Sequence, residues 1–152
     1  MYFTHIYFDC CCFSRPFDDL SDTIIRMEAE AVLSIIDYCE FSDWCCFKSD
    51  VLFDEICGIS NPNKREKIFV LYNSAAAFIS LTDEIINRAK ELEKFNIKSY
   101  DALHAASAEI GGADILLTTD KRFINAAKRS NINIPVKNPL SWLVEVLYDR
   151  KH

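Results

Sequence analysis

Short apolar runs alternate along this chain with longer segments in which apolar residues return every three or four positions. "HIYFD" (5–9) carries β-favouring Ile, Tyr and Phe and predicts a first strand with Asp9 at its C-terminal end. "CCFSRPFDDLSD" (11–22), broken by Pro16, reads as a loop. Ile25, Ala29, Val32 and Ile36 then recur at helical spacing and predict a helix over about 22–40, with Ser21 as its N-cap. "WCCFKS" (44–49) reads as a short second strand, and "SDVLFDEI" (49–56) as a helix capped by Ser49 that carries Glu55 two turns in. Asn61 and Pro62 supply a cap and a first-turn proline for a helix whose stripe is Ile68, Leu71, Ala75 and Phe78. "FISL" (78–81) reads as a third strand. Thr82 caps a helix to about residue 95, with Ile85, Ala89 and Leu92 inward.

Ser99 is the expected cap of an alanine-rich helix, "SYDALHAAS", that Gly111-Gly112 ends. "ADILL" (113–117) is a continuous apolar run, as a strand buried on both faces requires. A helix with Phe123, Ile124 and Ala127 inward follows, then "INIPV" (132–136) as a last strand and a C-terminal helix opened by Asn138-Pro139. Strands alternating with helices predict an α/β domain with a mainly parallel sheet.

At 152 residues, half of them hydrophobic and with only 3 Gly and 4 Pro, the chain suits one domain, residues 1–152, with a sizeable core. No apolar run approaches the roughly 20 residues that span a bilayer, and the basic start of a signal peptide is missing, so the expected location is cytoplasmic, with no membrane. Seven cysteines without C-x-x-C spacing fit neither a zinc site nor a secreted disulfide framework, and most are expected to be reduced core residues. A net charge of −6 argues against a nucleic-acid binder, unless several of the acids hold cations.

The acids are placed so that they can. Ligands of open α/β sheets bind beyond the carboxyl ends of the strands, where Asp9 and Asp120 are expected. Asp101 falls in a first helical turn, which favours a carboxylate, and Glu55 lies on a helix that could lean over the same edge. Crowded carboxylates repel, and a divalent cation removes the conflict. Oxygen ligands suit Mg²⁺ or Mn²⁺ rather than zinc, and a pair of such ions can clamp both oxygens of a phosphodiester under attack. Each acid alone also reads as a cap or a solvated residue, and Asp54 would replace Glu55 if the helix phase slips by one.

"IYFD", "SDVLFDEI" and "YDALHAASAEIGGADILLTTDKRF", in that order, resemble the PIN-domain ribonucleases, including the VapC-like toxins of bacterial toxin–antitoxin pairs. The likeness runs over nearly the whole chain and is most specific over residues 100–123. It implies a three-layer α/β/α fold around a mainly parallel sheet. It also implies a catalytic, metal-binding quartet of Asp9, Glu55, Asp101 and Asp120 that uses Mg²⁺ or Mn²⁺ to cleave RNA. Ser49, Thr118 and Thr119 become hydroxyls behind the metal or against substrate. An antitoxin partner and a homodimer are further implications. Where the family often has Asn two residues after the first acid, this chain has Cys11.

His104, one turn beyond Asp101, reads equally as a group near the site or as a packed histidine. Asp114 reads as structural, and Asp18, Asp19 and Asp22 as a solvated acidic loop. Arg15, Lys121 and Arg122 are the basic groups closest in sequence to the acids, suited to a phosphate backbone or simply to solvent. Phe8, Phe13, Phe17, Phe41 and Trp44 read as core or dimer interface. The competing enzyme classes, a receiver or a haloacid-dehalogenase-like hydrolase, fit worse because Asp9 is followed by Cys10 and Cys11 where the latter needs D-x-D. A non-catalytic PIN-like interaction domain is the other alternative, and retention of all four acids argues against it.

Overall fold

A computed structural model describes residues 4–151, and five parallel strands form its centre. They are β1 (Thr4–Phe8), β2 (Trp44–Ser49), β3 (Ala77–Ile79), β4 (Ile115–Leu117) and β5 (Val136–Lys137), in the order β3-β2-β1-β4-β5. Ile6 of the central strand pairs with Cys46 on one side and Ile115 on the other. Ile6, Tyr7, Phe8, Leu116 and Leu117 lose all contact with solvent, as central strands covered on both faces must. Helices fill both faces in the three-layer α/β/α arrangement: α1 (Cys10–Ser14), α2 (Thr23–Phe41), α3 (Asp50–Cys57), α4 (Pro62–Asn73), α5 (Asp83–Glu93), α6 (Ser99–Gly111), α7 (Lys121–Lys128) and α8 (Pro139–Lys151).

Most caps follow the sequence signals. Ser49, Asn61 and Thr82 each accept a backbone N–H of the helix they open. Gly112 ends α6 in the left-handed region at φ 88°, and Gly111 lies so close to the side chain of Ile79 that a Cβ would not fit.

Several expectations need correction. The expected loop 11–22 contains α1 and a 3₁₀ turn, Arg15–Phe17, because burial of Cys10, Cys12 and Phe13 outweighs the poor helix propensity of a cysteine run. Asp22 rather than Ser21 caps α2, its Oδ1 accepting from Ile25 N at 3.0 Å, while Ser21 bonds to Asp19. Ser99 is the first residue of α6, and the cap position is Lys98, with no side-chain bond. Helix α4 stops at Asn73, so Ala75 and Phe78 leave its stripe; Ala75 is buried beyond the helix and Phe78 is half exposed in β3. The strand over 113–117 shortens because Asp114 instead ties its backbone N and a carboxylate oxygen to His5.

Asp18 is not simply solvated, since it pairs with Arg15 and Lys64 at 3.1 Å each. Phe13 packs edge-on against Phe8, Trp44 packs between Tyr38 and Trp142, and Phe41 lies in solvent. The seven cysteines are free thiols, of which Cys10, Cys12 and Cys46 are buried and Cys57 is exposed. Among the described residues, no helix is long and apolar enough to cross a membrane.

Candidate functional site

The strand order reverses direction between β1 and β4, which opens a crevice at the carboxyl ends of those two strands. Asp9 leaves β1 there, and Thr118, Thr119 and Asp120 leave β4 beside it. Asp9 is buried, and its Oδ2 accepts the Thr118 hydroxyl at 2.8 Å. Thr118 Oγ1 in turn accepts the backbone N–H of Asp120 at 3.1 Å, so one hydroxyl links two of the four acids. Cys11, the departure from the family pattern, fits into this junction. Its Sγ lies 3.4 Å from Asp9 Oδ2 and 3.3 Å from Thr118 Oγ1, and accepts the Thr119 N–H at 3.4 Å.

Asp120 caps α7 through Oδ1 alone, which accepts from Arg122 N at 2.9 Å and Phe123 N at 3.4 Å. The bland reading of Asp120 as a cap therefore holds and still leaves Oδ2 for the crevice. Of the two adjacent acids Asp54 and Glu55 on α3, Asp54 turns outward to the Tyr100 hydroxyl. Glu55 faces the fully buried His104, whose Nε2 lies 2.8 Å from Glu55 Oε1 and 3.6 Å from Asp9 Oδ1. Asp9, Glu55 and His104 thus each offer a donor atom within 4.8 Å of the others, a set that can hold a metal ion.

Asp101 joins the group electrostatically. Burial first, and then the charges of Asp9, Asp120 and Glu55, raise its pKa from 3.8 to about 7 against the opposing pull of His104. Burial disfavours the imidazolium of His104, but its hydrogen bond to Glu55 and the charges of Asp9, Glu55 and Asp101 outweigh that and hold its pKa above the ordinary value. The four acids therefore share one field, which a divalent cation would neutralise. The donors fit such an ion: carboxylates predominate, with one imidazole among them.

The sign of the pH effect follows. Between pH 3.8 and about 7 the folded state retains the Asp101 proton that the unfolded chain has lost, so stability of the metal-free protein falls as pH rises through this window. His104, held above its ordinary value, contributes in the same direction. A cation held by these acids would replace those protons. Mg²⁺ or Mn²⁺ should therefore raise the melting temperature more at pH 8 than at pH 5, and equal shifts in differential scanning fluorimetry would contradict this.

The remaining candidates separate clearly. Ser49 is buried, caps α3 through Leu52 N at 3.0 Å and lies 2.9 Å from the Tyr7 hydroxyl. Arg15 is committed to Asp18 at 3.1 Å and Glu28 at 3.3 Å, and does not join the acids. Asp114 lies at the opposite, N-terminal end of β4, against His5. A cleft of about 100 Å³ beside Asp101 is lined by Asn96, Lys98, Arg122 and Phe123, which places two cations where a phosphate could enter. A far larger cavity, about 710 Å³ between α2, α7, β5 and α8, is lined by apolar side chains such as Ile24, Ile124, Val136 and Leu140 together with Glu28 and Lys121, and contains none of the four acids.

Tyr7 was missed in the sequence. It precedes Asp9 by two residues on one strand, so their side chains leave on the same side, and that period-two relation was the available signal.

A family model described as PIN domain matches residues 13–129, a span that includes Glu55, Asp101 and Asp120 and begins after Asp9. No curated protein matches the chain. Among solved structures, VapBC2 from Rickettsia felis, bound to a DNA fragment from its promoter, aligns with a TM-score of 0.62 at 14% identity, over 89% of this chain and 98% of that one. PAE2754 from Pyrobaculum aerophilum aligns with a TM-score of 0.54 at 12% identity, over 95% of this chain and 90% of that one. At these identities the two structures speak for the fold.

Proposed function

Because this chain belongs to the PIN-domain family, we propose that it is an Mg²⁺- or Mn²⁺-dependent endoribonuclease, the toxin of a toxin–antitoxin pair, whose catalytic and metal-holding residues are Asp9, Glu55, Asp101 and Asp120. The observation that carries this reading is the meeting of Asp9, Glu55 and His104, each with a donor atom within 4.8 Å of the others, at the carboxyl end of β1 where the strand order reverses, with Asp101 in the same field. A bound divalent cation supplies water activation and offsets charge that builds on the scissile phosphate. The chain's own residues do the rest. Thr118 orients Asp9 and the Asp120 backbone, with Cys11 and Thr119 closing the same junction. Ser49 acts indirectly, by starting the helix that presents Glu55. Lys98 and Arg122 are positioned to hold the RNA backbone beside Asp101. Arg15 braces the turn after α1 through Asp18 and Glu28.

Purified protein should cut single-stranded RNA with Mg²⁺ or Mn²⁺ and stop in EDTA; undiminished cleavage in EDTA would overturn the reading. The VapBC2 likeness supports an antitoxin partner, and the acidic crevice favours a basic segment whose arginine pairs with the carboxylates in competition with the cation. The reading places the protein in the cytoplasm as a homodimer. Phe53 on α3, Val70 on α4 and Phe78 on β3 are exposed apolar side chains that a second copy could cover. Light scattering at micromolar concentration should give twice the chain mass, and a monomer would count against the dimer.

A further inference from the structure

We propose that His104 is a metal ligand of this centre through Nε2, which makes the site a mixed oxygen–nitrogen one that prefers Mn²⁺ to Mg²⁺. The inference rests on the metal-dependent reading above and goes beyond the four acids. His104 lies inside the acid cluster rather than beside it: Nε2 is 2.8 Å from Glu55 Oε1 and 3.6 Å from Asp9 Oδ1. Donors around a cation bound at about 2.1 Å stand roughly 3 Å apart when adjacent and about 4.2 Å when opposite. The three donor atoms, all within 4.8 Å of one another, are close to such an arrangement before any ion enters.

The other face of the ring supplies the independent argument. Metal-binding histidines hold their second nitrogen in a hydrogen bond that fixes tautomer and orientation. Nδ1 of His104 lies 2.7 Å from the Tyr7 hydroxyl, which lies 2.9 Å from Ser49 Oγ. Ser49 Oγ is itself anchored by the N–H of Leu52 at 3.0 Å. In the protein without an ion Nε2–H donates to Glu55 Oε1; with Nδ1–H turned to the Tyr7 hydroxyl oxygen, a cation entering among the acids would displace the Nε2 proton and take its lone pair. An imidazole ligand moves the site away from Mg²⁺, which keeps a shell of oxygen donors, and towards Mn²⁺ and later metals.

The test uses the full chain, stripped by chelation and reloaded with one equivalent of Mn²⁺, examined by pulsed electron paramagnetic resonance. The wild type should show ¹⁴N modulation from a directly bound nitrogen, replaced by the ¹⁵N pattern when histidine is ¹⁵N-labelled. His104→Gln should remove the modulation and weaken Mn²⁺ binding by about 10- to 100-fold, whereas Tyr7→Phe should keep the modulation and weaken binding by about 10-fold. Should His104→Gln fail to fold, a His5→Gln/His152→Gln double variant that retains the signal assigns it to His104. Calorimetry of the wild type should give at least about 10-fold tighter binding of Mn²⁺ than of Mg²⁺. Bound Mn²⁺ without ¹⁴N modulation overturns the inference and leaves the acidic centre standing. Modulation that survives in folded His104→Gln overturns it as well. No Mn²⁺ binding at all overturns both this inference and the reading beneath it.

Discussion

Asp101→Asn is expected to lower the rate of RNA cleavage at least about 100-fold, the scale seen when a positioned electrostatic participant is removed. The change keeps size and shape but removes a charge that Asp9, Asp120 and Glu55 already oppose. The same substitution should therefore raise the melting temperature of the metal-free protein at pH 8, since the strain it relieves exists only while Asp101 is ionised. Loss of activity with a gain in stability is the signature of a residue kept for function. If Asp101→Asn instead unfolds the protein with no cation present, Asp101 is structural and its assignment is wrong.

The second large effect lies away from the acids, in the pairing that sets the position of α6. Arg88 on α5 holds Glu109 on α6 with two parallel bonds, Nε to Oε1 at 2.8 Å and Nη2 to Oε2 at 3.1 Å. Nη2 also donates to Asn131 O at 3.0 Å, and Glu109 Oε2 accepts the Asn133 N–H at 2.9 Å. The Glu109 side chain is only 4% exposed, so Arg88→Met would leave a buried carboxylate without its partner. A loss of about 3–5 kcal/mol is expected, a large part of the roughly 5–15 kcal/mol that holds a domain folded. Urea denaturation should show a lower midpoint at unchanged slope, and a variant as stable as the wild type would show that this pair is energetically neutral.

The sequence made the α/β class and parallel sheet legible, because continuous apolar runs such as "ADILL" and capped helices at Asn61-Pro62 and Thr82 carry local signals that the tertiary structure leaves in place. Helix α1 was not legible. Three consecutive cysteines have no helical periodicity, and only burial against the core makes them a helix. Glu55 was distinguishable from Asp54 by its spacing from Ser49, and the outward turn of Asp54 to Tyr100 agrees. The pairing of Arg15 was not legible, because proximity in sequence to Asp9 does not reveal that Glu28, on the next helix, meets its guanidinium. His104 stayed ambiguous for the opposite reason. Its meaning depends on Tyr7 and Ser49, which are 97 and 55 residues away along the chain and meet it only in the fold.

The proposed function stands or falls with the cation that the acids at the β1/β4 crevice are proposed to hold. Its most direct test is the Mn²⁺ dependence of single-turnover cleavage of a labelled RNA by chelator-stripped protein, run side by side for the wild type and Asp101→Asn. The expected result is no cleavage without the ion, saturable recovery in the wild type, and recovery at least about 100-fold slower in the variant. Cleavage that persists without the ion, or that recovers equally in both proteins, would contradict it.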